Sequence, residues 1–202
     1  MNTGLAQILP LSASTRKEID PHHLEHVLKA QSIPLSQWGI PPAKSVDDLK
    51  RSMRFEDVRL VSENGKLTLH VRVAVLFVRN SLNGYIEELQ EAERLFPGNI
   101  RLPGRSFNGT LAETFEKNET SLQCAIRGLD EELGFKDQSK YVIKDLLPIQ
   151  KLGPILSPDH YPGLPVLYER NKFVCLISKE LHRSEYIEKR GERTTIFRWK
   201  ML

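Results

Sequence analysis

An α+β fold, with strands before and after one central helix, is the class that the order of patterns in this chain predicts. Three observations lead there: a β-branched stretch from Val58 to Val78, a helix with marked ends between residues 119 and 135, and strand-like runs at 141–152, 172–181 and 194–201. At 202 residues, 40% hydrophobic and 27% charged, the chain has the length and composition for one substantial core.

The first ten to fifteen residues carry no periodic pattern. Asp20-Pro21 then opens a helix, Asp as N-cap and Pro at the first helical position, with Leu24, Val27 and Leu28 as its apolar stripe. His22 and His26 stand four residues apart on it, a spacing that suits a metal, but no third ligand is near and a first turn is usually solvated. A connector rich in Pro and Ser runs from Ser32 to Lys44, and a short helix follows near Val46 to Met53. Residues 1–54 thus read as a helical N-terminal extension and 55–202 as the main domain.

In that domain Val58 to Val61 and Leu67 to Val78 flank Asn64-Gly65, a turn pair that predicts a hairpin. The charge pattern of Tyr85 to Arg94 suits a helix as well as a strand, and a strand is the preferred reading. Ser157 to Pro165 is a Pro-rich loop in which His160 and Tyr161 could line a pocket over a base or sugar, or simply stiffen a connector.

The stretch from Glu119 to Phe135 is the most informative. Asn118 suits the N-cap, Glu119 the first turn, and Gly134 the left-handed C′ position that stops a helix. Leu122, Ile126, Leu129 and Leu133 recur at helical spacing and predict one stripe facing a core. Asp130, Glu131 and Glu132 crowd the C-terminal turn, where each carboxylate opposes the helix dipole by roughly 0.3–1 kcal/mol. Glu131 and Glu132 share the flank that carries position 128, and Asp130 points away. Paired hard oxygens of this kind suit Mg²⁺, which takes one or two carboxylates and completes its shell with water and phosphate. The same residues also suit a solvated acidic face balanced by Arg127.

From Glu119 onward, Arg127, Leu129, Glu131, Glu132, Gly134 and Phe135 stand at the spacing of the Nudix box, so the chain resembles the Nudix hydrolase family. Leu102-Pro103-Gly104 is similar to the strand end before the box in that family. Two positions depart from the pattern: Glu113 stands where the box has glycine, and Gly128 where it has the glutamate that shares the metal face and often helps with proton transfer. The resemblance implies a Nudix-like α/β/α sandwich with a mixed sheet, Mg²⁺ (or Mn²⁺) as cofactor, and hydrolysis of a diphosphate linkage in a nucleoside diphosphate derivative or related phosphate compound. It implies metal ligation by Glu131 and Glu132, with Arg127 orienting the glutamates. Glu116, Glu113, Glu169 and Glu188 are the candidates for the missing carboxylate, the alternative for Glu116 and Glu113 being a charged loop tip in solvent, and Tyr161 is the candidate substrate contact. The altered positions equally suit a catalytically impaired Nudix-fold nucleotide-binding or regulatory protein, and the Leu24, Val27 and Leu28 stripe suits a protein-interaction arm.

A formal charge of +3 is nearly balanced, so neither a nucleic-acid nor a membrane surface is an expected partner; a small nucleotide-type molecule is, with homodimer assembly compatible. Lys189 to Arg193, broken by Glu192, reads as a solvated turn. Two cysteines, Cys124 and Cys175, inside regular elements suggest buried thiols and a reducing cytoplasm. No run approaches the ~20 apolar residues of a membrane helix, and the N-terminus lacks a signal-peptide pattern.

Overall fold

The computed structural model describes residues 16–82, 84–104, 109–146, 148–156 and 160–202. The N-terminal stretch expected to be irregular, and Ser157 to Asp159 of the Pro-rich loop, lie outside them.

Local chemistry sets most boundaries. After a short strand β1 (Arg16–Glu18), the Asp20 side chain accepts from His22 N and starts a single 3-10 turn that leads into α1 (Leu24–Ala30). Ser45 and Asp48 form a reciprocal capping box at the head of α2 (Val46–Phe55). Strands β2 (Val58–Glu63) and β3 (Lys66–Leu82) form the expected hairpin, with Asn64 and Gly65 both at positive φ as its turn requires. Tyr85–Phe96 is a strand, β4, and Ile100–Pro103 is β5. The region from Tyr141 to Leu152, read as one strand, breaks into β7 (Tyr141–Asp145) and β8 (Gln150–Leu156). These lie end to end along β9 (Pro165–Ile177). Three elements were not anticipated: β1, β6 (Leu111–Thr114) and β10 (Glu185–Arg190). The last described strand is β11 (Arg193–Met201).

The long strand β3 organises the sheet. One of its edges pairs in turn with β2, β6 and β4, all antiparallel, and the other pairs with β9 in parallel, so the sheet is mixed. Successive side chains of a strand point to opposite faces. Ala74, Leu76 and Val78 accordingly enter one core with the central helix α3 (Ser121–Leu133), whereas Leu69, Val71, Val73 and Val75 enter another with α1 and α2. Helix and strand together, an α+β fold, are therefore observed.

Residues on both sides of position 54 share that second core. Leu24 and Leu28 are fully buried in it, which removes the stripe proposed for an interaction arm: its apolar surface is already used within the chain. Trp38, in the connector, also belongs there; its ring packs 5.1 Å from Tyr161 and its Nε1 donates to the Pro162 carbonyl at 2.9 Å. His22, His23 and His26 remain exposed.

Candidate functional site

Thr120, not Asn118, caps α3, in a reciprocal box with Gln123. Asn118 instead takes positive φ in the turn before the helix. Glu119 therefore stands outside the helix rather than in its first turn. Gly134 ends the helix in the left-handed conformation, as expected. Because the cap satisfies otherwise orphaned N–H groups, Thr120→Ala is expected to lower stability by about 1 kcal/mol, read as a small fall in the urea midpoint with an unchanged slope; no fall would deny the cap its role.

The buried face of α3 consists of Cys124, Ala125, Gly128, Leu129, Glu132 and Leu133. Leu129 and Leu133 face the core as the apolar spacing suggested, but Leu122 is 48% exposed. The helix is rotated toward Gly128 because a bare backbone there lets β6 approach. A Cβ built on Gly128 would lie 3.1 Å from Glu113 Cβ and 3.2 Å from Leu111 Cδ1. Glu113 is only 6% exposed, held in a strand between the buried Leu111 and Phe115, and is not part of a loop tip.

Arg127 ties this region together. Its Nε and one terminal nitrogen donate to the two oxygens of Glu119, each at 2.9 Å, its other terminal nitrogen donates to Glu113 at 3.0 Å, and the Thr114 carbonyl accepts at 2.8 Å. Glu131 lies 3.6 Å away, one turn further on. The hydrogen bonds that Arg127 donates to Glu119 and Glu113 outweigh the burial that opposes charge and raise its guanidinium above its ordinary value. Burial works against ionisation of Glu119, yet the Arg127 pairing holds its carboxyl below the usual range.

A second guanidinium reaches the same carboxylates from β10. Arg190 lies 3.6 Å from Glu131 and 3.9 Å from Glu113, on the far oxygen of Glu131 from Arg127. Desolvation is again outweighed, here by Glu113, Glu188, Glu132 and Glu131, and Arg190 is raised above its ordinary value. Glu188, on the same face of β10, is 6% exposed and held by Arg193 at 3.1 Å. The run expected as a solvated turn is thus a hairpin tip whose arginines point at carboxylates. Lys44, in the N-terminal connector, lies over the Tyr161 ring at 5.9 Å, outside this group of carboxylates. Desolvation lowers the Lys44 ammonium, and the positive charges of Arg190 and Arg193 push the same way.

Glu131 and Glu113 are thus brought to one region, joined by Arg127 and Arg190, and the buried Glu132 adds its charge to those that hold Arg190. Glu116 lies at its margin, its side chain 61% exposed and 4.0 Å from Arg127. Glu169 belongs to a separate network with Arg72 and Asp57. Tyr161 does not line the region either. It is 5% exposed, in the core shared with α1 and α2, and burial pushes its phenol up. Cys124 and Cys175 are buried free thiols, and burial raises both, Cys175 to about 12.

Two signals for the missed parts were present. Leu111, Glu113 and Phe115 alternate on one face of a strand pattern, as do Tyr186, Glu188 and Arg190. A carboxylate between two inward apolar positions, as Glu113 is, marks a buried acid that needs a cation.

Hard carboxylate oxygens are the right donors for Mg²⁺. Among the described residues no group of three or more His, Cys, Asp or Glu side chains is placed to hold a metal ion by itself. Glu131 and Glu132 could supply at most two such oxygens to a cation, the rest of its shell being water and phosphate. Among the described residues no helix is long and apolar enough to cross a membrane.

No protein-family model matches the chain, and no curated protein matches it. Among solved structures it is similar to a C. elegans Ap4A hydrolase, at 15% identity and a TM-score of 0.39, over 65% of this chain and 80% of that one. A binary complex of a C. elegans Ap4A hydrolase is matched at 17% identity and a TM-score of 0.37, over 65% and 78%. A likeness this shallow transfers neither substrate nor residue roles.

Proposed function

We propose that this chain is a Mg²⁺-dependent hydrolase of a diphosphate linkage in a nucleoside diphosphate derivative or related small phosphate compound, with a Nudix-like sandwich as its frame. The observation that carries the reading is that Gly128 faces Glu113, so that a Cβ on Gly128 would lie 3.1 Å from Glu113 Cβ. The box that Glu119 to Phe135 resembles wants a glutamate at 128 and a glycine at 113, and this chain has the two exchanged between facing positions. The carboxylate lost from the helix returns from the strand beneath it.

In this reading Glu131 and Glu132 bind the cation, and Arg127 orients Glu113 and Glu131 by the pairs described. The cation, when bound, supplies Lewis-acid polarisation and charge neutralisation at the phosphate oxygens. Glu113 takes up the proton of the attacking water, the role left open by Gly128. A second reading, a nucleotide-binding or regulatory protein without turnover, draws support from the arginine pairs that already engage Glu113 and Glu131.

The test is Mg²⁺-dependent product release across nucleotide sugars, dinucleotides and nucleoside triphosphates. Turnover abolished by chelation supports the hydrolase; nucleotide binding without turnover across the panel supports the second reading. On an active substrate, Gly128→Glu alone is expected to lower kcat/KM at least about tenfold. It sets a like charge beside Glu113 and overpacks a contact, at a cost of about 1–3 kcal/mol in stability. The double exchange Gly128→Glu with Glu113→Gly is expected to recover most of both losses. If it is no better than the single variant, the two positions do not share one function.

A further inference from the structure

Asn64 and Gly65 form the two-residue loop between β2 and β3, closed by Glu63 opposite Lys66. Asn64 has φ 50° and Gly65 φ 78°, so both central residues are left-handed and the turn is type I′. Both residues are exposed, and a Cβ built on Gly65 would meet nothing within 4 Å. Among the described residues neither the Gly65 N–H nor the Asn64 carboxamide has a hydrogen-bond partner. A nucleophilic nitrogen and an electrophilic amide carbon thus stand in the open on adjacent residues, with nothing engaging either.

We infer that Asn64 is a site of spontaneous covalent modification, at which the Gly65 nitrogen closes on the Asn64 carboxamide and the resulting imide opens to aspartate or isoaspartate. Gly65 N bonds to Asn64 Cγ, the Cγ–Nδ2 bond breaks, and ammonia leaves with the proton lost from Gly65 N. Water then opens the five-membered ring. Opening at Cγ gives aspartate; opening at the main-chain carbonyl carbon leaves the chain running through Cγ, as isoaspartate. Water is the one co-reactant, and nothing is oxidised or reduced.

The hairpin need not open for this chemistry. A five-membered ring requires Gly65 N to eclipse Asn64 Cβ about the Cα–C bond, which for an L-residue means ψ of about −120°, the ψ of the first central residue of a type II′ turn. Asn64 already has the positive φ of that turn. Flipping the one peptide plane between Asn64 and Gly65, with Gly65 φ moving to about −80°, therefore converts the resting turn into the reactive one. Glycine adopts either sign of φ readily, and both turn types suit the twist of a hairpin. Asn99 and Asn118 also have positive φ, but Ile100 and Glu119 follow them, and a side chain there crowds the attacking nitrogen. Asn83 and Asn108, which precede the glycines of the other two Asn-Gly pairs, lie outside the described residues. The consequence falls on the second core. Isoaspartate adds an atom to the backbone of a two-residue loop and so disturbs the pairing of Glu63 with Lys66 and of Ser62 with Leu67, beside Leu67 and Leu69, both buried there.

The experiment ages the full chain at mildly alkaline pH, folded and in concentrated urea, and reads each Asn-Gly peptide by mass spectrometry and by isoaspartyl methyltransferase labelling. Asn64→Gly is the control, because Gly-Gly keeps a turn-forming pair and has no carboxamide. A reaction that waited for the hairpin to open would be slowed by the cost of opening, so conversion at Asn64 in the folded chain is expected to run within about five-fold of its rate in urea. Aged wild type is expected to melt about 3 °C lower than fresh protein, with aged Asn64→Gly unchanged. A folded-state rate slower than that range would overturn the inference, because the turn would then hold the nitrogen away from the carboxamide. Isoaspartate at the other pairs and none at Asn64 would overturn it equally, and an equal fall in melting temperature for aged Asn64→Gly would deny the modified turn its effect on the core.

Discussion

Replacing Glu131 and Glu132 together by Gln is expected to reduce kcat on any substrate the chain hydrolyses by about 10³-fold, equivalent to about 4 kcal/mol of transition-state stabilisation. Both side chains keep their length and hydrogen-bonding atoms, so the fold should survive. Arg127 retains Glu119 and Glu113, its two hydrogen-bonded carboxylates, in this variant. Two negative charges are lost where a divalent cation needs them, and a neutral amide oxygen is a much poorer ligand for Mg²⁺. The comparison should therefore be made at saturating substrate over a range of Mg²⁺ concentrations, with the melting temperature as control. A folded double variant that keeps its turnover would remove α3 from the chemistry.

Arg127→Met is expected to act on stability first. Glu113 and Glu119 have side chains 7% and 11% exposed, and Arg127 is hydrogen-bonded to both. Removing one partner of a buried ion pair leaves an uncompensated charge and costs about 3–5 kcal/mol. For a chain of this length that is a fall of about 10 °C in Tm. The pH dependence gives the sign. Glu119 is held below its ordinary value in the folded wild type, so its pairing stabilises the fold above the unfolded carboxylate pKa and is lost as pH falls through the folded one. In the Met variant that depression is gone, and burial favours the neutral acid. The deficit relative to wild type should shrink between pH 7 and pH 4, as read from urea melts at both. A deficit that is constant or grows on acidification would mean that packing of the Arg127 stem, not its charge, stabilises the turn.

The helix that carries Glu131 and Glu132 was legible because its stop signal is local: Gly134 takes the positive φ that a bare backbone tolerates. The same holds for Asp20 before Pro21 and for the Asn64-Gly65 hairpin. The start of α3 was misplaced by two residues because Asn118 and Thr120 are both good caps, and the choice between them depends on Gln123 reaching back to Thr120. Freed from the helix, Glu119 becomes a bidentate partner of Arg127, a role that spacing did not suggest.

The acids beyond the helix were a different matter. Glu113 lay in a stretch too short to register as a strand, and β6 exists because β3 is long enough to offer it an edge between β2 and β4. Tyr161 looked suited to a pocket by composition, yet Trp38, more than a hundred residues away, covers its ring.

What the sequence by itself determined were the Asp20 cap of the turn that leads into α1, the hairpin of β2 and β3 and the stop of α3. Caps, turns and helical facing depend on residues within about four positions of one another. Tertiary structure alone decided which charges meet. Glu113 reaches Arg127 across a separation of 14 residues because β6 packs on α3 at a glycine small enough to admit it, and Arg190 arrives from β10, which packs on the same helix.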